Sequence, residues 1–326
     1  MNRQMTDRQY TKTHIQAQIQ VPLEESGSRI DQVLARLMPD YSRARLTQWL
    51  TDGQILVDGA RLKPKNKVLG GEQIVIDAEL ETQIDWSAED IPLDLVHVDN
   101  NLIIVNKPAG LVVHPGYGNL SGTLVNALLS RFPELEEIPR AGIVHRLDKD
   151  TSGVLAVARS LKAQANLVKQ LKDRSMSRQY AALVYGHPNK EGTIDAAMDR
   201  HRLQRTKMAV VYSGKPAITH YRLSETTAHC AWLDVKLETG RTHQIRVHLT
   251  HIGHPLVGDP VYRQGRPGLG YATQEARALI DAFPRQALHA KTLGLIHPMR
   301  GQHVKFEVPL ASDLHGLSVA LRRVDV

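Results

Sequence analysis

The run HRLDKDTSG, residues 145–153, lies between two aliphatic stretches, Ile143–His145 and Val154–Ala158. Both stretches read as strands gripping a polar loop, and Gly153 permits backbone angles closed to other residues where the second strand begins. Carboxylates on a loop between buried strands are well placed for chemistry. The plainer alternative is an Asx-turn that only stabilises the loop. Further strands are predicted at Leu93–Val98, Leu102–Val105, Gln179–Tyr185, Thr219–Ser224, Ala231–Leu237 and Val304–Val308. Asp99-Asn100-Asn101 supplies hairpin chemistry between the first two. Helices are predicted over Gly122–Phe132 and from the capping Ser160 to Lys172. These strands lack the regular strand–helix–strand rhythm of a doubly wound sheet, so the class is α+β with a mixed, mostly antiparallel sheet. Arg263–Arg285, polar and Gly-rich at its start, reads as a surface excursion.

Three chemistries could use the loop. A kinase catalytic loop also begins His-Arg, but Leu147 separates Arg146 from Asp148, and no Gly-rich phosphate loop accompanies it. A glycosidase needs facing carboxylates, and Asp148 and Asp150 at i and i+2 in a loop need not face one another. One aspartate acting at a sugar carbon is the third.

A second constellation runs from Leu237 to Pro260, LETGRTHQIRVHLTHIGHPLVGDP, with a helix predicted over Thr242–Ile252 and ended by Gly253. His248, His251 and His254 invite a metal, but no carboxylate joins them and His254 lies beyond the glycine, so hydrogen-bonded histidines are expected instead. Arg246 sits on a partly buried helix, where an arginine needs an anion, and Asp148 is the candidate. A close positive charge would favour ionised Asp148. Tyr180, in Arg178-Gln179-Tyr180, can stack on a base and handle a proton, or be a core tyrosine with one satisfied hydroxyl.

Towards the N-terminus, residues 1–17 are rich in Gln, Thr and charge and are expected to form a disordered arm. A small α/β module follows over 18–78. One helix carries Ile30, Val33, Leu34, Leu37 and Met38; another, capped by Ser42, carries Leu46, Trp49 and Leu50. Ile55–Val57 and Ile74–Ile76 read as strands, with a tight turn at Asp58-Gly59. Arg43 and Arg45 crowd a helix start, where the dipole disfavours cations, and Lys63, Lys65 and Lys67 follow. A polyanion would remove that conflict, which suggests an RNA-contact face. Residues 79–90 are acidic and read as a linker to a second domain over 91–326.

Of the 326 residues, 42% are hydrophobic and 23% charged, with a net charge of +7, which suits a soluble protein with a polyanionic partner. Cys230 is the single cysteine, so no internal disulfide or multi-thiolate zinc site can form. Without a signal-like or membrane-spanning apolar run, a cytoplasmic protein is expected.

The 18–78 module resembles the S-four-type (alpha-L) RNA-binding domain through Arg29-Ile30-Asp31 with Leu34, Ser42-Arg43, Gly53–Gly59 and Lys63-Pro64. Most of the chain, from about 18 to 310, resembles the RluA-type pseudouridine synthases and their large-subunit ribosomal RNA group D. HRLDKDTSG and TGRTHQIRVH (239–248) carry most of that likeness, with Val105–Gly116 and HPLVGDPVY (254–262) in support. The resemblance implies a pseudouridine synthase fold and conversion of uridine to pseudouridine in 23S ribosomal RNA, in the stem-loop of helix 69. Asp148 would be the catalytic aspartate, Tyr180 the active-site tyrosine and Arg246 the basic partner of the aspartate. Arg146 would help displace the target nucleotide; His145, Arg241, Arg29, Ser42, Arg43 and Lys63 would bind RNA, and Lys107 would be structural. Substrate and product share one composition, so neither cofactor nor metal is called for. The partner would be ribosomal RNA or an assembling large subunit, without a membrane, and the protein a monomer. A non-catalytic ribosome-assembly factor, a synthase for another structured RNA and an RNA N-glycosylase are the alternatives.

Overall fold

The computed structural model describes residues 11–39, 41, 43–82, 87–116, 119–204, 206–262 and 273–324. The chain divides into two compact units, Met1–Asp85 and Trp86–Val326.

Unit 1 begins with strand β1 (Thr11–Gln20), followed by helices α1 (Ile30–Leu37) and α2 (Arg43–Asp52) and strands β2 (Ile55–Val57) and β3 (Gln73–Thr82). The sheet order is β1-β3-β2, antiparallel throughout. Of the expected disordered arm, residues 1–10 lie outside the described residues, and 11–17 form a strand paired with Ile76–Thr82 of β3. Polar composition hid a period of two, with Ile15, Ala17 and Ile19 packing on the unit's core between outward glutamines. β3 likewise continues through 79–82, where a linker was expected. Ile30, Val33, Leu34, Leu46, Trp49, Leu50, Ile74 and Ile76 form the core, with Tyr41 tilted against Trp49 at 5.0 Å. Asp58 and Gly59, both at positive φ, turn the chain so that Val57 and Ala60 exchange backbone hydrogen bonds.

Unit 2 runs β4 (Asp94–Val98), β5 (Leu102–Lys107), α3 (Leu124–Arg131), β6 (Ser152–Ala158), α4 (Leu161–Lys172), β7 (Ser177–Tyr185) and β8 (Glu191–Asp195). It continues through β9 (Met198–Arg200), β10 (Met208–Val210), β11 (Ile218–Thr226), β12 (Cys230–Leu237), α5 (Gln244–His251) and α6 (Gln274–Ala282), and ends with β13 (Leu288–Ile296), β14 (His303–Glu307) and α7 (Ser312–Val324). The main sheet has the order β4-β5-β6-β13-β7-β12-β11-β8, with β14 beside β13 and β9 and β10 in a separate ribbon. Every pairing is antiparallel except β6 with β13, which holds only through Ser152–His289 and Gly153–Ala290.

β13 lies outside the strands read from the sequence. It is central and largely buried on both faces, with polar His289 and Thr292 inside, so its polar residues do not mark a wet face. Ile143–His145 is not a strand: only a single bridge, Ile143 to Val157, forms there. Arg140, Ala141 and Gly142 just before it all take positive φ, and this left-handed turn prevents an extended approach. Arg263–Arg285 is more than a surface excursion. Residues 263–272 lie outside the described part, but α6 buries Ile280 in a cluster with Phe283, Leu314 and Leu317.

Candidate active site

The loop before β6 is held from below by groups that carry no mobile charge of their own into solvent. Lys107, fully buried at the end of β5, donates from Nζ to the carbonyls of Pro108, Leu111 and Lys149 at 2.8, 2.9 and 2.9 Å. Three carbonyls match the three protons of an ammonium. Arg285 donates to the Asp150 carbonyl at 3.0 Å, and Gln286 to the Thr151 hydroxyl at 3.2 Å. Thr151 N–H closes a turn onto the Asp148 carbonyl at 3.1 Å. Asp150 thus belongs to the loop's scaffold through its backbone.

Asp148 reaches the opposite way. Arg246, on α5 and 98 residues later, donates from Nη1 to Asp148 Oδ2 at 3.0 Å. Its Nε and Nη2 form a two-pronged pair with Asp259 at 2.8 and 2.9 Å. Arg246 and Asp259 are buried, whereas Asp148 keeps an 18% exposed side chain. Burial opposes the Arg246 charge, but the two carboxylates more than offset it and raise its pKa. Burial also opposes the Asp259 charge, yet Arg246 and two backbone N–H groups hold that carboxyl below its usual range. Arg246 stands over the Tyr262 ring at 5.0 Å. Asp259 and Tyr262 lie in HPLVGDPVY, but nothing in their local pattern marked them as partners of the site.

His243, at the N-cap of α5, takes a left-handed backbone (φ 56°). Met208 N–H donates to Tyr262 Oη at 2.9 Å, and His243 Nδ1 is hydrogen-bonded to the same Oη at 2.7 Å. His243 Nε2 lies 3.9 Å from Asp148 Oδ1. Burial keeps the ring pKa below its ordinary value.

These groups open on a cavity of about 800 Å³ lined by Arg140, Arg146, Lys172, Arg178, Arg241 and Arg246, with Asp148 the lone carboxylate in its wall among the described residues. Tyr180, on β7, is buried in that wall, and burial raises its hydroxyl pKa, so it stays protonated near neutrality. Arg146 is exposed; Arg241 is exposed too, its Nε donating to the Pro216 carbonyl at 3.2 Å. His145 lines the cavity, but its Nε2 accepts from Ala156 N–H at 3.0 Å, and burial lowers its pKa to about 3. It is a neutral ring with one nitrogen already used. Arg140, Lys172 and His243 were not singled out by the sequence, because they are brought to the cavity from three separate segments. A low-dielectric wall with six cations and one carboxylate attracts a polyanion and leaves one anionic group for chemistry.

Two of the three histidines of the second constellation have other partners, and His251 is exposed. His248 Nε2 donates to the Ala196 carbonyl and Nδ1 meets the Thr219 hydroxyl, both at 2.9 Å; His254 Nδ1 meets the Tyr185 carbonyl at 2.9 Å.

Arg29, Arg43 and Lys63 belong to unit 1, and Ser42 lies outside the described residues. The conflict expected at the start of α2 is resolved inside the unit. Arg43 and Arg29 both pair with the buried carboxylate of Asp31, at 2.6 and 2.9 Å. Each guanidinium stays partly exposed, and Lys63, Lys65 and Lys67 are exposed.

Comparison with known proteins agrees with this chemistry. Residues 101–251 match the RNA pseudouridylate synthase family, and residues 28–74 match the S4 domain. Proteins named ribosomal large subunit pseudouridine synthase D from Pseudomonas aeruginosa and Escherichia coli are 51% and 49% identical to this chain. Those matches cover 95% and 94% of this chain and 97% and 95% of theirs. The solved structure of human RNA pseudouridylate synthase domain containing 1 is 27% identical with a TM-score of 0.53, over 72% of this chain and 96% of that one. No helix among the described residues is long and apolar enough to cross a membrane. With that identity along nearly its whole length, the chain belongs to the RNA pseudouridylate synthase family and is an RNA pseudouridine synthase, an isomerase.

Proposed function

We propose that this enzyme isomerises uridines in large-subunit ribosomal RNA, with Asp148 acting at the ribose of the target nucleotide. The observation that carries the assignment is the Asp148–Arg246 ion pair in a cavity otherwise lined by cations. The relatives named for the large ribosomal subunit support the RNA class. The helix 69 stem-loop as the target segment rests on the resemblance to group D alone, and a cytoplasmic monomer is the working state.

In this reading the glycosidic bond from uracil N1 to the ribose C1′ breaks, the base turns, and C5 bonds to C1′. Asp148 attacks a sugar carbon or takes a ribose proton. Arg246 holds the carboxylate in place, and Asp259 holds Arg246. Tyr180 lies beneath the base as a neutral phenol. A stacked uridine must leave its helix to enter, at a cost of a few kcal/mol. Arg146, Arg241 and the exposed lysines of unit 1 offset that cost through phosphate contacts.

The test is Asp148→Asn in the full chain. RNA binding is expected to persist while pseudouridine formation falls by at least about 1000-fold. Retained tritium release from 5-tritiated uridine RNA would remove Asp148 from the mechanism. A pseudouridine map of ribosomal RNA from cells lacking the protein tests the target: loss confined to other RNAs would exclude the large subunit.

A further inference from the structure

Arg178 and Tyr180 share one face of β7, two residues apart, and both are buried in the wall of the cavity. Arg246 has two carboxylates, but among the described residues none lies within ion-pairing distance of Arg178. Its Nη2 donates to the Glu238 carbonyl at 3.2 Å, while its buried Nε has no partner. The Glu238 carboxylate is taken by Arg174 and His220 at 3.0 and 2.7 Å. A Cβ on Gly240 would fall 2.5 Å from Nη1, so the guanidinium is seated against a bare backbone. An arginine stays protonated when buried, and a buried cation with an open donor needs an anion.

Backbone phosphates have the exposed Arg140, Arg146, Lys172 and Arg241 to meet. The group that reaches Arg178 must instead lie beside Tyr180, where the proposed function puts the base. We propose that Arg178 stabilises the uracil anion released when the N1–C1′ bond breaks. The bonding pair leaves with the base and spreads over N1 and the ring carbonyls, while the sugar carbon is taken up by Asp148. C5 then displaces Asp148 from C1′, C5 loses its proton and N1 gains one, so the sum is an isomerisation. The Nε–H and an Nη–H form a fork suited to adjacent acceptors on the base edge.

This inference rests on the assignment of Asp148 and Tyr180. Its test uses the full chain and a uridine-bearing ribosomal stem-loop under single-turnover conditions. Arg178→Gln is expected to slow isomerisation ~100-fold while RNA affinity stays within ~3-fold. Arg178→Lys should restore part of the rate. Gly240→Ala, which displaces the guanidinium, should lower it several-fold. With 5-fluorouridine in the RNA the base is a better anion; its C5 carries fluorine and has no proton to lose, so the step compared is N1–C1′ cleavage, and the Arg178→Gln penalty on loss of the parent nucleoside, read by nucleoside chromatography, should shrink ~10-fold. An Arg178→Gln rate within ~3-fold of the parent, an effect confined to affinity, or an equal penalty on both RNAs would overturn it. Should Arg178→Gln melt out, Gly240→Ala and Arg178→Lys decide: parental rates in both overturn the assignment. Asp148→Asn run alongside separates the two ideas. If it is inactive while the Arg178 variants behave as the parent, only the role of Arg178 falls.

Discussion

Asp148 and Asp259 divide one arginine between them, and their different exposure separates their work. The two-pronged bond to buried Asp259 fixes the Arg246 plane, and the remaining Nη1 presents one proton to Asp148. Asp259→Ala should cost about 3 kcal/mol in urea unfolding, because it strands a buried cation. It should also lower the single-turnover rate, because Arg246 loses its orientation. A variant as stable as the parent would show that Arg246 relaxes onto Asp148 alone. Acid sensitivity follows from His145 and His289, which burial holds at about 3 and about 4 when folded. Unfolded, each takes its proton near 6.5, so below that pH the unfolded chain binds more protons and stability falls. The expected loss is up to about 1.4 kcal/mol per pH unit for each ring between pH 6 and 4. His289→Asn should shallow the slope by about one proton, and an unchanged slope would place its titration elsewhere. At this scale the sequence named Asp148, Tyr180 and Arg246, with roles supplied by the family resemblance, and the three line one cavity. It did not disclose Asp259 or His243, since a carboxylate behind an arginine and a left-handed N-cap leave no periodic trace.

Gly153 shows how one element is tied to another. Its φ is +116°, and an added Cβ would sit 2.2 Å from the Ala290 carbonyl oxygen, at one of the two residue pairs joining β6 to β13. Gly153→Ala should cost at least about 3 kcal/mol and release the loop that carries Asp148. Unfolding by urea together with turnover checks this, and a stable, active variant would mean that the parallel join is dispensable. The amphipathic helices and half-buried strands were legible because one face is wet. β13 was not, because His289, Lys291 and Thr292 interrupt its apolar residues and two of them are buried all the same. β1 was missed because its polar composition outweighed a clear alternation.

At the scale of the whole molecule, the chain carries a net charge of +7 and divides into two units. On the proposed function, the exposed Lys63, Lys65 and Lys67 of unit 1 contribute phosphate contacts and the cavity of unit 2 hosts the reaction. Replacing all three lysines by glutamate should weaken RNA binding by about 10-fold or more and flatten the log–log salt dependence. The single-turnover rate at saturating enzyme should hold. An unchanged salt slope would deny the lysines that role.

The sequence by itself determined the α+β class and singled out the loop at 145–153, because alternation and dense motifs are properties of neighbours in the chain; the RNA-isomerising chemistry came with the resemblance of those motifs to a known family. The pairing of Asp148 with Arg246, 98 residues away, was already expected from the sequence; only the tertiary structure decided how that pair is braced. Asp259 holds Arg246 from behind, and the loop beneath Asp148 hangs on Lys107 and Arg285. Those contacts depend on how β6, β13 and α5 come together, and distance in space is not written in local pattern.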